Sequence, residues 1–151
     1  MGTHDFLALL FEWRGRINRA QYWIAWIFYA FYFGATVFAY FIASLFMTFA
    51  SSTVGILFML LAVLLSPMVV SAVFVSIKRL HDRDKSGWWV LVFYAAPAVL
   101  NGIGPHTNAE SLFSLAVFVL SIWGFIELGC LRGTLGPNRY GSDPLVADAK
   151  R

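Results

Sequence analysis

The sequence predicts an all-α integral membrane protein with four transmembrane helices, both termini cytoplasmic (N-in/C-in), and a structured cytoplasmic cap formed by loops. Three observations lead there. Of 151 residues, 60% are hydrophobic and only 13% charged, against about 25% charged in an ordinary soluble domain. The charges are gathered between long apolar runs, more than so short a chain can hide in one water-surrounded core. And once four crossings are drawn, every lysine and arginine falls on one side.

Residues 1–19 form a cytoplasmic N-terminal segment. Phe6, Leu10 and Trp13 share one helical face within it, which suits an interfacial helix on the inner surface, with a disordered start as the alternative. The spans follow at approximately 20–50, 53–77, 87–103 and 111–131. A helix needs about 20 apolar residues to cross a hydrocarbon core roughly 30 Å thick, and backbone groups in lipid must pair within their own segment, which selects helix over open strand.

Asn18, with Gln21 three residues on, can cap the first span, and Tyr22, Trp23 and Trp26 suit the headgroup level. The run is too long for a cleaved signal peptide. Ala35, Ala39 and Ala43 make one smooth face on which another helix can approach, or are ordinary alanines of an apolar helix. In the second span Pro67 removes a donor and strands the carbonyl of Val63, predicting a kink, with Ser66 and Ser71 at hand as substitute donors. The third is the shortest and contains Pro97; Ser86 can cap it and Trp88 and Trp89 can anchor it, with a re-entrant loop as the competing reading. The fourth carries Glu127, about 6 Å from its end at 1.5 Å per residue. This intramembrane acid is a proton or ion site or, the preferred reading, a partner for Arg16, Arg79 or Arg132.

Orientation rests on the basic residues. Arg14, Arg16 and Arg19 precede the first span; Lys78, Arg79, Arg83 and Lys85 lie between the second and third; Arg132, Arg139, Lys150 and Arg151 follow the fourth, in the 132–151 cytoplasmic tail. These are all 11 Lys and Arg residues of the chain. The opposite connections, around Ser51–Ser52 and between Gly104 and Glu110, contain none. Positive charge is retained inside during insertion, so four crossings and an inside N-terminus follow together. The net charge of +3 thereby serves orientation, and no nucleic-acid partner is expected.

The single cysteine, Cys130, excludes an intramolecular disulfide and a cysteine-pair zinc site. His81 with Asp82 and Asp84 is a weak ligand set, and His4 and His106 lie elsewhere, so no metal and no cofactor are expected. Motifs of nucleotide hydrolases, serine hydrolases and zinc proteases are missing, and no catalytic residue is assigned.

Three polar motifs abut the spans on the basic side: Phe11-Glu12-Trp13-Arg14-Gly15-Arg16-Ile17-Asn18-Arg19 with Tyr22-Trp23, then Lys78-Arg79-Leu80-His81-Asp82 with Ser86-Gly87-Trp88-Trp89, and Gly133-Thr134-Leu135-Gly136-Pro137-Asn138-Arg139-Tyr140-Gly141-Ser142-Asp143-Pro144. In this content and order, from Phe11 to Pro144, the chain resembles the "domain of unknown function 805" family of small bacterial inner-membrane proteins. That resemblance implies a fold and an inner (plasma) membrane location but carries no activity. Trp13 stands where the family pattern has a polar or small residue, and Asp84-Lys85 replace a glycine-containing turn.

The tail motif is rich in turn formers, with glycines free to take positive φ and Asn138 and Asp143 able to bond nearby amides. Beneath the bundle Asn138, Arg139 and Asp143 can meet Arg14, Arg16, Arg79, His81 and Asp82 in a network that closes the cytoplasmic mouth. The same arginines with Arg19 can instead hold phosphate, including anionic lipid headgroups, with His81 and Asp82 orienting it. The expectation is a non-enzymatic binding or scaffolding module at the inner face, its partners membrane lipid, a second copy or another protein. The alternatives are a small transporter or channel component and, third, a membrane enzyme acting on lipid phosphate.

Overall fold

The computed structural model describes residues 3–46 and 51–148. Six α-helices follow in order: α1 Thr3–Phe11, α2 Arg19–Phe46, α3 Ser51–Asp82, α4 Ala96–Ile103, α5 Glu110–Phe125 and α6 Pro144–Asp148. A π-helical turn, Leu91–Ala95, leads into α4 and another, Ile126–Cys130, ends α5. Among the described residues there is no strand, only an isolated bridge between Asn138 and Gly141. Three stretches are long and apolar enough to cross a membrane: Arg19–Leu45, Gly55–Asp82 and Glu110–Cys130.

Local chemistry sets these boundaries. At the head of α2, Asn18 Oδ1 accepts the Gln21 amide at 2.9 Å and the Asn18 amide donates to Gln21 Oε1 at 3.1 Å, a reciprocal capping box. In α3 the carbonyl stranded by Pro67 is recovered by Ser66, whose Oγ donates to Val63 O at 2.8 Å, and the helix continues. Pro97 is absorbed by the π turn before it. The Ala96 amide reaches back to Leu91 O, and the proline falls in the first turn of α4, where a missing N–H leaves no bond unmade.

Two boundaries differ from the sequence-based expectation. The third predicted segment, 87–103, is helical in its later part but is not among the three long stretches. The second, predicted to end at 77, runs on to Asp82, so Lys78–Asp82 is the last turn of a helix and not a loop. The helix stops where Asp84 takes φ 56° in the position usually held by glycine; Lys85 N donates to Leu80 O at 2.9 Å and Asp84 N to His81 O at 3.0 Å, a Schellman pair. The end of the first predicted span beyond Phe46, together with Lys150 and Arg151, lies outside the described residues.

α2 packs on α3, and α4 on α5. The buried apolar core gathers at the basic end, where Ile17, Tyr22, Val75, Leu80, Phe93 and Leu128 meet. Toward the other end Phe31, Phe38, Leu45, Met59, Val63 and Phe118 are exposed, which suits lipid and not water. Ala35 and Ala39 also lie exposed.

At about 48 Å, α3 is long enough to cross roughly 30 Å of hydrocarbon and project about 18 Å beyond, nearly the length of Ser71–Asp82. α1 docks along that projection. Its last carbonyls are served from α3: Lys78 Nζ donates to Ala8 O at 2.9 Å and to Leu9 O at 2.5 Å, and Ser71 Oγ to Leu10 O at 2.8 Å. A lysine at a helix C-terminus also balances the dipole. Phe6 meets Phe28 edge-on, Leu9 and Leu10 are buried, and Trp13 stays exposed beyond the helix.

Candidate functional site

The C-terminus of α5 organises the basic end. A helix leaves its last carbonyls without partners, and the π turn here is followed by extended chain at Leu131. Five successive carbonyls each receive a side-chain donor. Leu128 O takes Arg79 Nε at 2.8 Å, Gly129 O takes Trp23 Nε1 at 3.1 Å, Cys130 O takes an Arg19 guanidinium nitrogen at 2.9 Å, Leu131 O takes a second Arg79 nitrogen, and Arg132 O takes Arg83 at 2.7 Å. Arginine suits this task because its donors fan out in one plane.

Asp82 is the hub beneath. Its Oδ2 pairs with Arg79, and its Oδ1 accepts both Nε and a terminal nitrogen of Arg16, at 3.1 and 3.0 Å. The side chains of Arg79, Arg16 and Asp82 are 0%, 1% and 4% exposed. Arg16 also donates to Thr134 O at 2.7 Å, Gly136 O at 2.7 Å and Gly141 O at 3.2 Å, so one guanidinium fastens the tail to α3. Two arginines facing one carboxylate leave a surplus positive charge, which the carbonyls and the negative end of the α5 dipole offset.

The tail fits around this pair. Thr134 N donates to Asp82 O at 2.8 Å, and Asn138 Nδ2 to His81 O at 2.9 Å. Gly136 and Gly141 have φ of 72° and 138°. Gly133 serves a different purpose: a Cβ there would lie 1.9 Å from Asp82 Oδ2, so only glycine lets the tail approach the carboxylate. Asp143 accepts the amides of Leu145 and Gly136, each at 3.0 Å; these bonds hold its carboxyl below the ordinary aspartate range. The His81 ring stacks on Tyr140 at 3.8 Å, with Nδ1 3.2 Å from Gly15 O.

Glu127 is buried and paired, with partners other than those expected: Lys85 Nζ at 2.9 Å and Arg83 Nε at 3.0 Å. Of the expected anion-binding set, the fold brings Arg16, Arg79 and Asp82 into contact, with His81 and Asn138 beside them. Arg14, Arg19 and Arg139 sit apart at the exposed rim, Arg14 over the Trp13 ring at 5.0 Å and Arg139 paired with Asp84 at 3.0 Å. Sequence reasoning missed the pairing roles of Arg83 and Lys85, the Trp23 indole donor, and Arg132 at the edge of a cleft of about 500 Å³ between the start of α2, the end of α5 and the tail. Arg83 lies four residues after Arg79, on the same helix face, which was the available signal. Among the described residues no three of His, Cys, Asp and Glu gather where they could hold a metal ion.

Long apolar helices meeting at an internally satisfied, arginine-rich cap define a small helical membrane protein. The chain belongs to the family described as "Protein of unknown function (DUF805)", which it matches over residues 10–142. It is 30% identical over 138 residues to "Uncharacterized protein YiiR" of Escherichia coli (strain K12), covering 89% of this chain and 86% of that protein. It is 36% identical over 69 residues to "Inner membrane protein YhaI" of the same strain, covering 46% of this chain and 40% of that one. No solved structure matches it.

Proposed function

We propose that the protein is a non-enzymatic, four-pass module of the bacterial inner membrane, with both termini cytoplasmic, that binds anionic lipid headgroups through its basic cap. Connectivity supports four passes. The chain leaves the cap after Lys85, and α4 packs on α5, which is itself long enough to cross and ends at the cap. A return through α5 calls for an outward pass, and α4, packed on α5, is the element that supports it. Each described lysine and arginine lies at or beside the cap, the side retained in the cytoplasm.

One observation carries the binding role. Arg16 and Arg79 are occupied inside the cap, whereas Arg14, Arg19 and Arg132 are exposed at its rim beside exposed Trp13, Leu135 and Leu145. Cations next to apolar side chains suit the boundary between anionic headgroups and acyl chains. Arg139 is neutralised by Asp84. A transporter would need Glu127 free to exchange an ion, and its pairs with Arg83 and Lys85 weigh against that.

Native mass spectrometry of the protein purified in mild detergent tests this reading. Anionic phospholipid should be enriched over zwitterionic phospholipid relative to the source membrane, and the Arg14→Gln/Arg19→Gln/Arg132→Gln variant should lose that enrichment. Equal enrichment in variant and parent would refute it. Reporter fusions at each end should give cytoplasmic signals; a periplasmic signal from either end would overturn the topology.

A further inference from the structure

The cleft bordered by Arg19 and Arg132 does not end at the cap. Trp23, in its wall, is also in the wall of a second, partly open groove of about 300 Å³ between α2, the Leu91–Ala95 π turn and α5, lined also by Trp26, Phe93 and Phe125. Arg19 to Trp26 is about 10 Å along the helix at 1.5 Å per residue, so the charged end and the aromatic channel are stacked along the direction a lipid takes in a bilayer. We propose that the two together form a site for one anionic phospholipid, its phosphate between the guanidinium groups of Arg19 and Arg132 and an acyl chain lying over Trp23 into the groove. The assignment rests on the headgroup-binding reading above and narrows it to one place and one ligand class.

The charge of the lining favours an anion. Its acids are Asp82 and Asp143. Asp82 is already held by Arg16 and Arg79, and Asp143 by the amides of Gly136 and Leu145, with the charges of Arg16 and Arg132 acting on it as well. Arg19 commits one nitrogen to Cys130 O and keeps further donors, while Arg132 is anchored through its carbonyl and exposes its side chain. The surroundings favour a lipid over a free anion. Leu135 is 71% exposed and Leu145 48%, and leucines beside arginines at a cleft mouth are poorly placed in water but well placed against a glycerol backbone and the first methylenes of an acyl chain. A soluble phosphate would occupy only the charged half and leave the aromatic groove unused.

The test uses the full-length chain, stripped of lipid and returned to nanodiscs of phosphatidylcholine containing a minor fraction of phosphatidylglycerol, with retained lipid counted by native mass spectrometry. The parent should hold one phosphatidylglycerol per chain. Losing a charge-assisted contact to phosphate should lower retention about tenfold or more in Arg19→Gln/Arg132→Gln. Arg132→Gln alone, at an exposed side chain, should show most of that loss. Arg139→Gln should retain the lipid. Undiminished retention in both Arg132 variants overturns the site. If Arg14→Gln abolishes retention and the Arg19/Arg132 variant does not, the headgroup-binding reading stands and this cleft is rejected. Complete displacement by excess inorganic phosphate shows an anion site without a lipid requirement and also overturns it. No preference for phosphatidylglycerol in the parent removes both readings.

Discussion

Arg79 and Arg132 both belong to the end of α5, one serving it from within and the other standing on it. Arg79 is fully buried and divides its nitrogens among Leu128 O, Leu131 O and Asp82. Arg132 gives its carbonyl to Arg83 and leaves its side chain outside. A basic cluster in the sequence is therefore two populations, one that builds the cap and one available to something beyond it. What separates them is the supply of nearby acceptors: unpaired helix-end carbonyls claim the arginines that reach them first.

The sharpest way to break this contrast is Arg79→Ala. Removing it leaves Asp82 and two carbonyls short of a buried donor, a loss of about 3–5 kcal/mol, read as a large fall in the unfolding midpoint in detergent. Arg79→Lys should recover little, because one ammonium cannot span three acceptors. Gly133→Ala comes next. Its methyl collides with a carboxylate pinned by two arginines, and about 1–3 kcal/mol is expected for that overpacking, with faster hydrogen exchange at Thr134.

Smaller still is a pH effect at the tail. The Leu145 and Gly136 amides keep the Asp143 carboxyl below its ordinary range. Its folded pKa is thus depressed, so the stabilisation is complete above the unfolded value, about 3.9, and is lost as pH falls through the folded one. Protection of the Gly136 amide should decline over that acidic window, and Asp143→Asn should abolish the dependence. At the rim, Arg139→Gln should change stability by less than about 1 kcal/mol, since an exposed ion pair contributes little. An Arg139 effect as large as that of Arg79 would erase the distinction.

Much of this was legible where the chemistry is local. Asn18 with Gln21, Ser66 with Pro67, and the tail's Asn138 and Asp143 act over a few residues, and each does what its spacing implied. The apolar segments were legible because crossing lipid demands length. The helical course of Lys78–Asp82 and the partners of Glu127 were not. Arg16 meets Asp82 across 66 positions and Arg83 meets Glu127 across 44, and one sequence does not say which of several arginines arrives. Gly133 looked like a turn residue, yet its role is to leave room for Asp82.

The cap also has a timetable. The carbonyls that occupy Arg79 lie 49 and 52 residues downstream of it, and the tail that fastens Arg16 is later still, 118 to 125 positions away. Until the ribosome has delivered the end of α5, the Arg79 guanidinium on α3 has Asp82 one turn away but lacks the two carbonyls that take its other nitrogens. A chain cut short before Leu128 would keep its apolar helices and the Arg79–Asp82 pair but leave the remaining Arg79 donors without the acceptors that bury them.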